Sequence, residues 1–492
     1  MFHKTNLSEK INQCAKEWDA SGAVAVVKDG EWYHENFYGF ADKEKHIPVI
    51  EESTYLISYN SRFLMGLCIG KLLDEKKIKL SDTLDTYIPE YNHASEITLK
   101  QLCLKQSGIP NFFNSGIMKM QQEDKEYQSL SDESRNIRDR KLLTYPWTFK
   151  DALMFVNEKA LTCLPGTEPT DDLDNMSETL FIREVIERSA GMALPDYMRT
   201  AIFAPIGIKG EYQKPDTKPY AVYHMTSYVN SGYEENAKYS FVINYREAKN
   251  LLKAVLDKSI LSEKAWKAVT APATYEQSIA FNSISGLLSA RDLEYGSTGW
   301  SCYLYLNWNE KLGLLHLTNS ELIEHSVGGD GISQFRKEFR QEVAAAFVYP
   351  KDTKLIPFNK VNLWDAMELS IEDEQLEYMS NAKRAICIAY AYKQKLFVLM
   401  EGKYSVGLVA FKVDKKKEKY YIESVLIDKK YQQRGFGKSM MIQGLAYLKS
   451  QGCKYLTIGV HRLNTAALKL YKSVGFTEKT VYEGFVEMEM YL

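Results

Sequence analysis

From Leu396 to Tyr491 the apolar positions switch between a period of two and a period near 3.6, as strands alternating with helices do. Leu396–Met400 and Ser405–Val413 read as a hairpin across Glu401-Gly402-Lys403. The basic run Lys415-Lys416-Lys417 reads as a solvated tip leading into a strand over Tyr420–Ile427. Met441, Leu445 and Leu448 then recur on one helical face. Leu456, Ile458 and Val460 alternate within Tyr455–Val460, and Val481–Tyr491 alternates enough to be a last strand. Ahead of this block, Leu355–Val361 reads as a first strand, and Trp364–Leu369 and Asp373–Ala382 as helices.

The earlier part of the chain has its own pattern. Leu7, Ile11, Cys14 and Trp18 put an amphipathic helix in residues 1–20. Ser21–Val27 is a strand, Lys28-Asp29-Gly30 a hairpin turn and Glu31–Tyr38 the return strand. Leu64–Leu73 is an apolar helix, Tyr87-Ile88-Pro89 a turn, and Ile97–Leu104 a helix stopped by Ser107-Gly108-Ile109-Pro110. Asn111–Tyr145 is polar and charged, an insertion loop or an exposed helix. A helix over Ser333–Phe347 leads to the short linker Tyr349-Pro350-Lys351-Asp352. The expected organisation is two domains, 1–350 and 351–492, as befits a length of 492 residues.

Composition narrows the class. Hydrophobic residues at 45% and charged residues at 26% describe a globular chain. A formal net charge of −2 argues against a dedicated nucleic-acid binder. The seven cysteines are scattered with no C-x-x-C, which suggests neither a disulfide framework nor a zinc site and fits a reducing cytosol. Eight histidines with no H-x-x-x-H pair give no metal signal. The N-terminus lacks the apolar core of a signal peptide, and no apolar run is long enough to span a bilayer. A soluble, cytoplasmic protein is expected, with no nucleic-acid or membrane partner and a homo-oligomer left open.

The chemistry concentrates in Tyr420–Tyr447, a strand, a basic glycine-rich turn and a helix. Such a turn is an anion site, because the first-turn N–H groups have no intrahelical partner and Gly435 and Gly437 let a ligand approach the backbone. Arg434 and Lys438 add positive charge, so the expected ligand is a phosphate or pyrophosphate. Gln432-Gln433-Arg434-Gly435-Phe436-Gly437 resembles the Q/R-x-x-G-x-G/A signature of GCN5-related N-acetyltransferases, and Asn464–Phe476 resembles their N-x-x-A-x-x-L-Y-x-x-x-G-F helix. The resemblance covers about the last quarter of the chain and is nearest the polyamine acetyltransferase branch. It implies acetyl-CoA as co-substrate and an amine as acceptor. It implies that the main chain of Val425, Leu426 and Ile427 pairs with the pantetheine arm, that the nest Arg434–Lys438 holds the pyrophosphate, and that Tyr471 is the general acid at the thioester sulfur. Tyr471 also reads simply as a buried helix aromatic. Glu423, two residues before Val425, is either the group that deprotonates the amine or a solvent-facing strand carboxylate. Asn464 reads as a helix cap within the same site.

Most of residues 20–345 resembles the serine β-lactamase and penicillin-binding family, in its esterase-like branch. The segments that carry this include GAVAVVKDGEWYHENFYGFAD, YLISYNSRFLMGLCIGKLLDEKKIKLSDTLDTYIPEY, ITLKQLCLKQSGIPNF and VIERSAGMALPDYMRTAIFAPIGIK. The implied fold class is α+β / α/β in two domains: an antiparallel sheet with flanking helices and a helical subdomain, then a mixed central sheet with flanking helices. The family's catalytic motifs depart from their pattern. Where S-x-x-K belongs stands Tyr59-Asn60-Ser61-Arg62, and an arginine cannot serve as the base. The second motif falls on Asp174-Asn175-Met176 and the third on Glu294-Tyr295-Gly296. The domain reads as a pseudo-hydrolase, with Ser58 and Ser61 as displaced nucleophiles in the opposing view.

Three readings follow. The chain is an N-acetyltransferase whose pseudo-hydrolase domain binds or regulates; or a serine hydrolase or peptide-binding module with an accessory acetyltransferase domain; or a cofactor sensor. Polyamine, amino sugar, peptide N-terminus and antibiotic amine all remain as acceptors. His325–Gly331 reads as a phosphate or metal loop, or as a glycine-rich connection.

Overall fold

The computed structural model describes residues 9–492 other than 10, 14, 17–19, 59–60, 132–133, 136–137, 139–146, 168–174, 212–219, 223–239, 272–277, 285–286, 292–300, 323–344, 346–347 and 403. Tyr59, Asp174, Glu294, the loop His325–Gly331 and most of the expected helix Ser333–Phe347 lie outside the described residues. The chain divides into two compact units, Met1–Arg340 and Gln341–Leu492. Among the described residues no helix is long and apolar enough to cross a membrane.

The first unit is built on an antiparallel sheet of β1 (Gly22–Lys28), β2 (Glu31–Tyr38), β3 (Asn282–Ile284), β4 (Leu287–Arg291), β5 (Ser301–Asn307) and β6 (Leu312–Thr318), in the order β2-β1-β6-β5-β4-β3. Asp29 and Gly30 both take positive φ, 53° and 85°, the conformation a tight hairpin turn requires. Helix α1 (Arg62–Asp74) buries nine of its thirteen residues. A helix apolar all round belongs inside a domain, and α1 packs among α2 (Met176–Ala190), α3 (Tyr245–Leu256) and α4 (Glu263–Thr270) in one hydrophobic core. The segment after Pro110 begins differently from the expected exposed insertion. Phe112 and Phe113 are buried, and the Phe112 ring meets Trp147 edge-on at 5.5 Å. Two large aromatics outweigh the polar residues that follow them.

The second unit is a mixed sheet of β7 (Thr353–Pro357), β8 (Lys395–Glu401), β9 (Tyr404–Asp414), β10 (Lys419–Ile427), β11 (Tyr455–His461), β12 (Thr477–Tyr482) and β13 (Phe485–Tyr491), in the order β7-β8-β9-β10-β11-β13-β12. Only the β10–β11 pair is parallel, joined by the crossover helix α6 (Phe436–Ser450). The sheet separates two cores. Val409, Phe411 and Ile422 pack with α6 and α7 (Thr465–Ser473), while Val398, Leu408 and Leu426 pack with Ala366, Leu369 and α5 (Ala382–Ala391). Three expected elements differ. The first strand ends at Pro357, after which Asn359 and Asn362 hydrogen-bond their own turn. Only Asp373–Glu377 of the expected helix Asp373–Ala382 is helical, and a new helix starts at Ala382 because Asn381 caps it. The last strand is two, folded at Glu483-Gly484, both with positive φ.

Candidate active site

Where β10 meets β11 the sheet opens. The two strands pair only at Tyr421↔Thr457 and Ile422↔Ile458. On its other side β10 carries a bulge: Ala410 faces Ser424 and Phe411 faces Ile422, so Glu423 is the extra residue. The remainder of β10, including Val425, Leu426 and Ile427, runs on beside β9 without β11, which leaves its outer main-chain edge to an extended partner.

A cleft of about 420 Å³ fills this opening. Its walls include Tyr378, Tyr421, Glu423, Val425, His461, Asn464, Tyr471, Tyr482 and Phe485. Tyr421 leans across to β11, where the Gly459 N–H donates to its Oη at 3.0 Å. A Cβ on Gly459 would stand 2.7 Å from that oxygen, so the glycine makes the tyrosine's position possible. The His461 ring stacks on Tyr378 at 5.9 Å and meets Phe485 edge-on at 5.0 Å. Both amide atoms of Gln394, beside the cleft, are buried without a hydrogen-bond partner among the described residues.

Tyr471 is buried in α7, and burial, with the Tyr421 phenol adding to it, pushes its hydroxyl well above the ordinary tyrosine range. It holds its proton wherever the protein is folded at neutral pH. Glu423 is exposed and pairs with Lys412, Nζ to Oε2 at 3.4 Å. Burial also raises Tyr421. The Asn464 Oδ1 accepts the Ala467 N–H at 3.0 Å, so this side chain caps α7 while bordering the cleft.

The glycine-rich turn heads α6. Gln433 and Gly435 both take positive φ, 60° and 90°. The first intrahelical bond is Ser439 N–H to Gly435 O, so the N–H groups of Phe436, Gly437 and Lys438 have no intrahelical partner. The side chains of the turn are spent differently from the expectation. Gln432 Nε2 donates to Ile427 O and to Gln375 Oε1, both at 2.9 Å. Phe436 is in the core. Gly437 is small for packing: a Cβ there would stand 3.0 Å from Leu470 Cδ2. The Arg434 guanidinium donates to Ala345 O, and to Val348 O at 3.3 Å. Lys438 is exposed and makes no ion pair among the described residues.

Tyr421, Tyr378, Gln394, His461, Tyr482 and Phe485 were not singled out from the sequence. Tyr421 carried the one available signal, an aromatic two residues before Glu423 on the same strand.

In the first unit, described residues beside the start of α1 form a buried polar network. Ser61 is fully buried and caps α1, its Oγ accepting the Leu64 N–H at 3.3 Å. Lys105 Nζ donates to Thr179 Oγ1 at 2.9 Å and Asn175 O at 3.2 Å. Ser107 donates its hydroxyl to the buried Glu178. Burial raises the Glu178 carboxyl, and Lys105, the Ser107 bonds and Arg62 partly offset it. Cys103, buried beside these charges, is pushed up to about 12 and stays a thiol. The space among Arg62, Cys103 and Lys105 amounts to about 10 Å³. Among the described residues no group of acidic, histidine or cysteine side chains is arranged to hold a metal.

The chain was compared with known proteins. Residues 11–330 match the Beta-lactamase family model, more than half of the chain, and residues 363–476 match the Acetyltransferase (GNAT) family model. Teichoic acid D-alanine hydrolase of Staphylococcus aureus strain MRSA252 is 31% identical over 132 residues, 27% of this chain and 31% of that protein. The chain thus spans about a third of the length of the curated relatives it matches. Among solved structures, FmtA from Staphylococcus aureus superposes with a TM-score of 0.51 at 18% identity, over 69% of this chain and 89% of that one. The penicillin binding protein from Bacillus halodurans gives 0.50 at 14%, over 68% and 100%. At such identities the likeness is one of fold. The chain belongs to the Beta-lactamase family through its N-terminal unit, and its C-terminal unit is a GNAT-family acetyltransferase domain.

Proposed function

We propose that the protein moves an acetyl group from acetyl-CoA to an amine held in the β10–β11 cleft. The observation that carries this reading is the opened strand pair, with a glycine-rich helix start at one end and Tyr471 in its wall. The edge of β10 that β11 leaves unpaired at Val425–Ile427, where Gln432 already holds Ile427 O, suits the amide groups of a pantetheine arm. The bare N–H groups of Phe436, Gly437 and Lys438 suit a pyrophosphate. The amine acceptor then lies against Tyr421, Glu423, His461 and the other aromatic walls. Glu423, directly or through water, takes the proton of the ammonium. The amine nitrogen attacks the thioester carbon, the carbon–sulfur bond breaks, the thiolate takes the proton of the Tyr471 hydroxyl, and the proton the nitrogen sheds in becoming an amide passes through water to restore that hydroxyl. A reaction that consumes acetyl-CoA places this unit in the cytoplasm.

The N-terminal unit is read as a pseudo-hydrolase that binds a ligand or regulates. The support is the arginine at position 62, which stays protonated at any working pH and so cannot serve as a base, and the buried network of Lys105 and Glu178 beside it. A panel of amines incubated with acetyl-CoA tests the main reading through release of free thiol and the mass of the acetylated product. Thiol release that is independent of every amine, or none at all, refutes it.

A further inference from the structure

The two residues flanking Arg434 both sit in the left-handed backbone region, and one of them, Gln433, is not a glycine. Such a conformation carries a local penalty on the order of 1–2 kcal/mol and persists where surrounding structure holds it. The structure shows what holds it. The Arg434 guanidinium reaches back to the carbonyls of Ala345 and Val348 and lies over the Tyr349 ring at 5.6 Å. Pro350 Cγ stands 3.6 Å from where a Gly435 Cβ would be. Ala345 and Val348 are buried in the same core as Phe436 and Met440 of α6. The contact continues along the helix. The Thr353 hydroxyl meets Ser439 Oγ, Gln443 Nε2 donates to Thr353 O at 3.0 Å, and Gln443 Oε1 accepts the Leu355 N–H at 2.8 Å.

We propose that Ala345, Val348, Tyr349 and Pro350 form a clasp with Arg434 that sets the shape of the anion-binding turn, so that Arg434 is a positioning residue for the cofactor and not one of its phosphate ligands. The inference rests on the acetyl-CoA reading above. A guanidinium donates but does not accept, and this one is already turned toward two carbonyl oxygens of the preceding segment. The charge that faces a pyrophosphate is left to Lys438 and to the N-terminal end of α6. The segment ahead of β7, which reads from sequence as a linker, is thereby part of the cofactor site.

The test uses the full-length protein, with CoA binding measured by calorimetry at low and high salt, and with steady-state kinetics. Two variants sever the clasp from opposite sides. Arg434→Met removes the guanidinium. Tyr349→Ala with Pro350→Gly removes the ring and the pyrrolidine and leaves Arg434 in place. Each is expected to weaken CoA binding about tenfold, the scale of a lost hydrogen bond to a charged group. Combining them should add little, since both break the same contact. The salt dependence of binding should match that of the wild type, and turnover at saturating acetyl-CoA should hold. The clasp is overturned if Arg434→Met flattens the salt dependence while the Tyr349/Pro350 variant binds normally, which marks a direct ion pair with phosphate. It is equally overturned if neither variant changes the affinity. A wild-type protein that binds no CoA refutes the acetyl-CoA reading itself, a result distinct from either.

Discussion

The cleft between β10 and β11 and the buried network beside the start of α1 both lie next to where a family fold would set its chemistry, and they are built differently. The cleft encloses about 420 Å³, whereas the gap inside the core among Arg62, Cys103 and Lys105 is about 10 Å³. The difference lies in what the backbone does. In the C-terminal unit a bulge at Glu423 and a strand pair that parts after Ile422 hold the space open by main-chain geometry, whatever side chains line it. In the N-terminal unit side chains make the arrangement: Arg62, Lys105 and Glu178 form a charge network that burial makes costly to disturb.

The largest effect that would break this contrast is at Tyr471. Tyr471→Phe keeps the ring and removes the proton donor. Turnover should fall by roughly two to four orders of magnitude with the CoA affinity unchanged. The pH profile sharpens the assignment. Because the Tyr471 pKa is raised, the acid stays protonated above the ordinary tyrosine value of about 10, so turnover should not decline between neutrality and that pH on account of this residue. An alkaline limb near pH 8 that disappears in Tyr471→Phe is the opposite result and removes the role. So does a variant that turns over normally when chemistry limits the rate.

A smaller effect is expected at Gly459. The added Cβ of Gly459→Ala meets Tyr421 Oη at 2.7 Å, so the ring must swing into the cleft. Overpacking of this kind costs about 1–3 kcal/mol, and kcat/KM for the amine should fall about tenfold while the glycine-rich turn and its affinity for CoA stay as they are. Unchanged amine kinetics in a folded Gly459→Ala protein would show that Tyr421 does not wall the acceptor space.

Much of the C-terminal fold was legible because its signals are local. Ser405–Val413 and Tyr420–Ile427 are apolar runs and Tyr455–Val460 alternates, and the structure's β9, β10 and β11 contain them. Asn464 and Gly475 mark the ends of α7, and the structure uses both there. What was not legible depends on neighbours distant in sequence. Nothing in IESVLI shows that Glu423 is the bulged residue, since a bulge is defined by the partner strand. Gln394 and His461 come to the cleft from other elements of the sheet. Arg434 looked like a phosphate ligand because its own segment is an anion-binding turn; its partners lie 86 and 89 positions away. Ala382–Ala391 was missed because alanines give a weak apolar stripe, and a packed small-residue face is seen only once the sheet beneath it is known.

The smallest expected effect is none at all, and it tests the N-terminal side of the contrast. Incubated with a fluorescent penicillin or a p-nitrophenyl ester, the full-length protein should show no covalent acyl adduct in the N-terminal unit by intact mass. An acyl-enzyme needs an exposed nucleophile, a neighbouring base and room for the acyl group. Ser61 fails the first condition, being fully buried with its oxygen committed to the cap of α1. Arg62 fails the second, since a guanidinium gives up its proton only far above any working pH. Cys103 is no substitute: its thiol is pushed up to about 12 and is buried as well. For the third, the gap among Arg62, Cys103 and Lys105, about 10 Å³, has no room for an acyl group. Lys105 has the right chemistry for a base but holds Thr179 and Asn175 inside the network. A stoichiometric adduct mapped to Ser58, Tyr59 or Ser61 would favour the serine-hydrolase reading of this unit over the pseudo-hydrolase one.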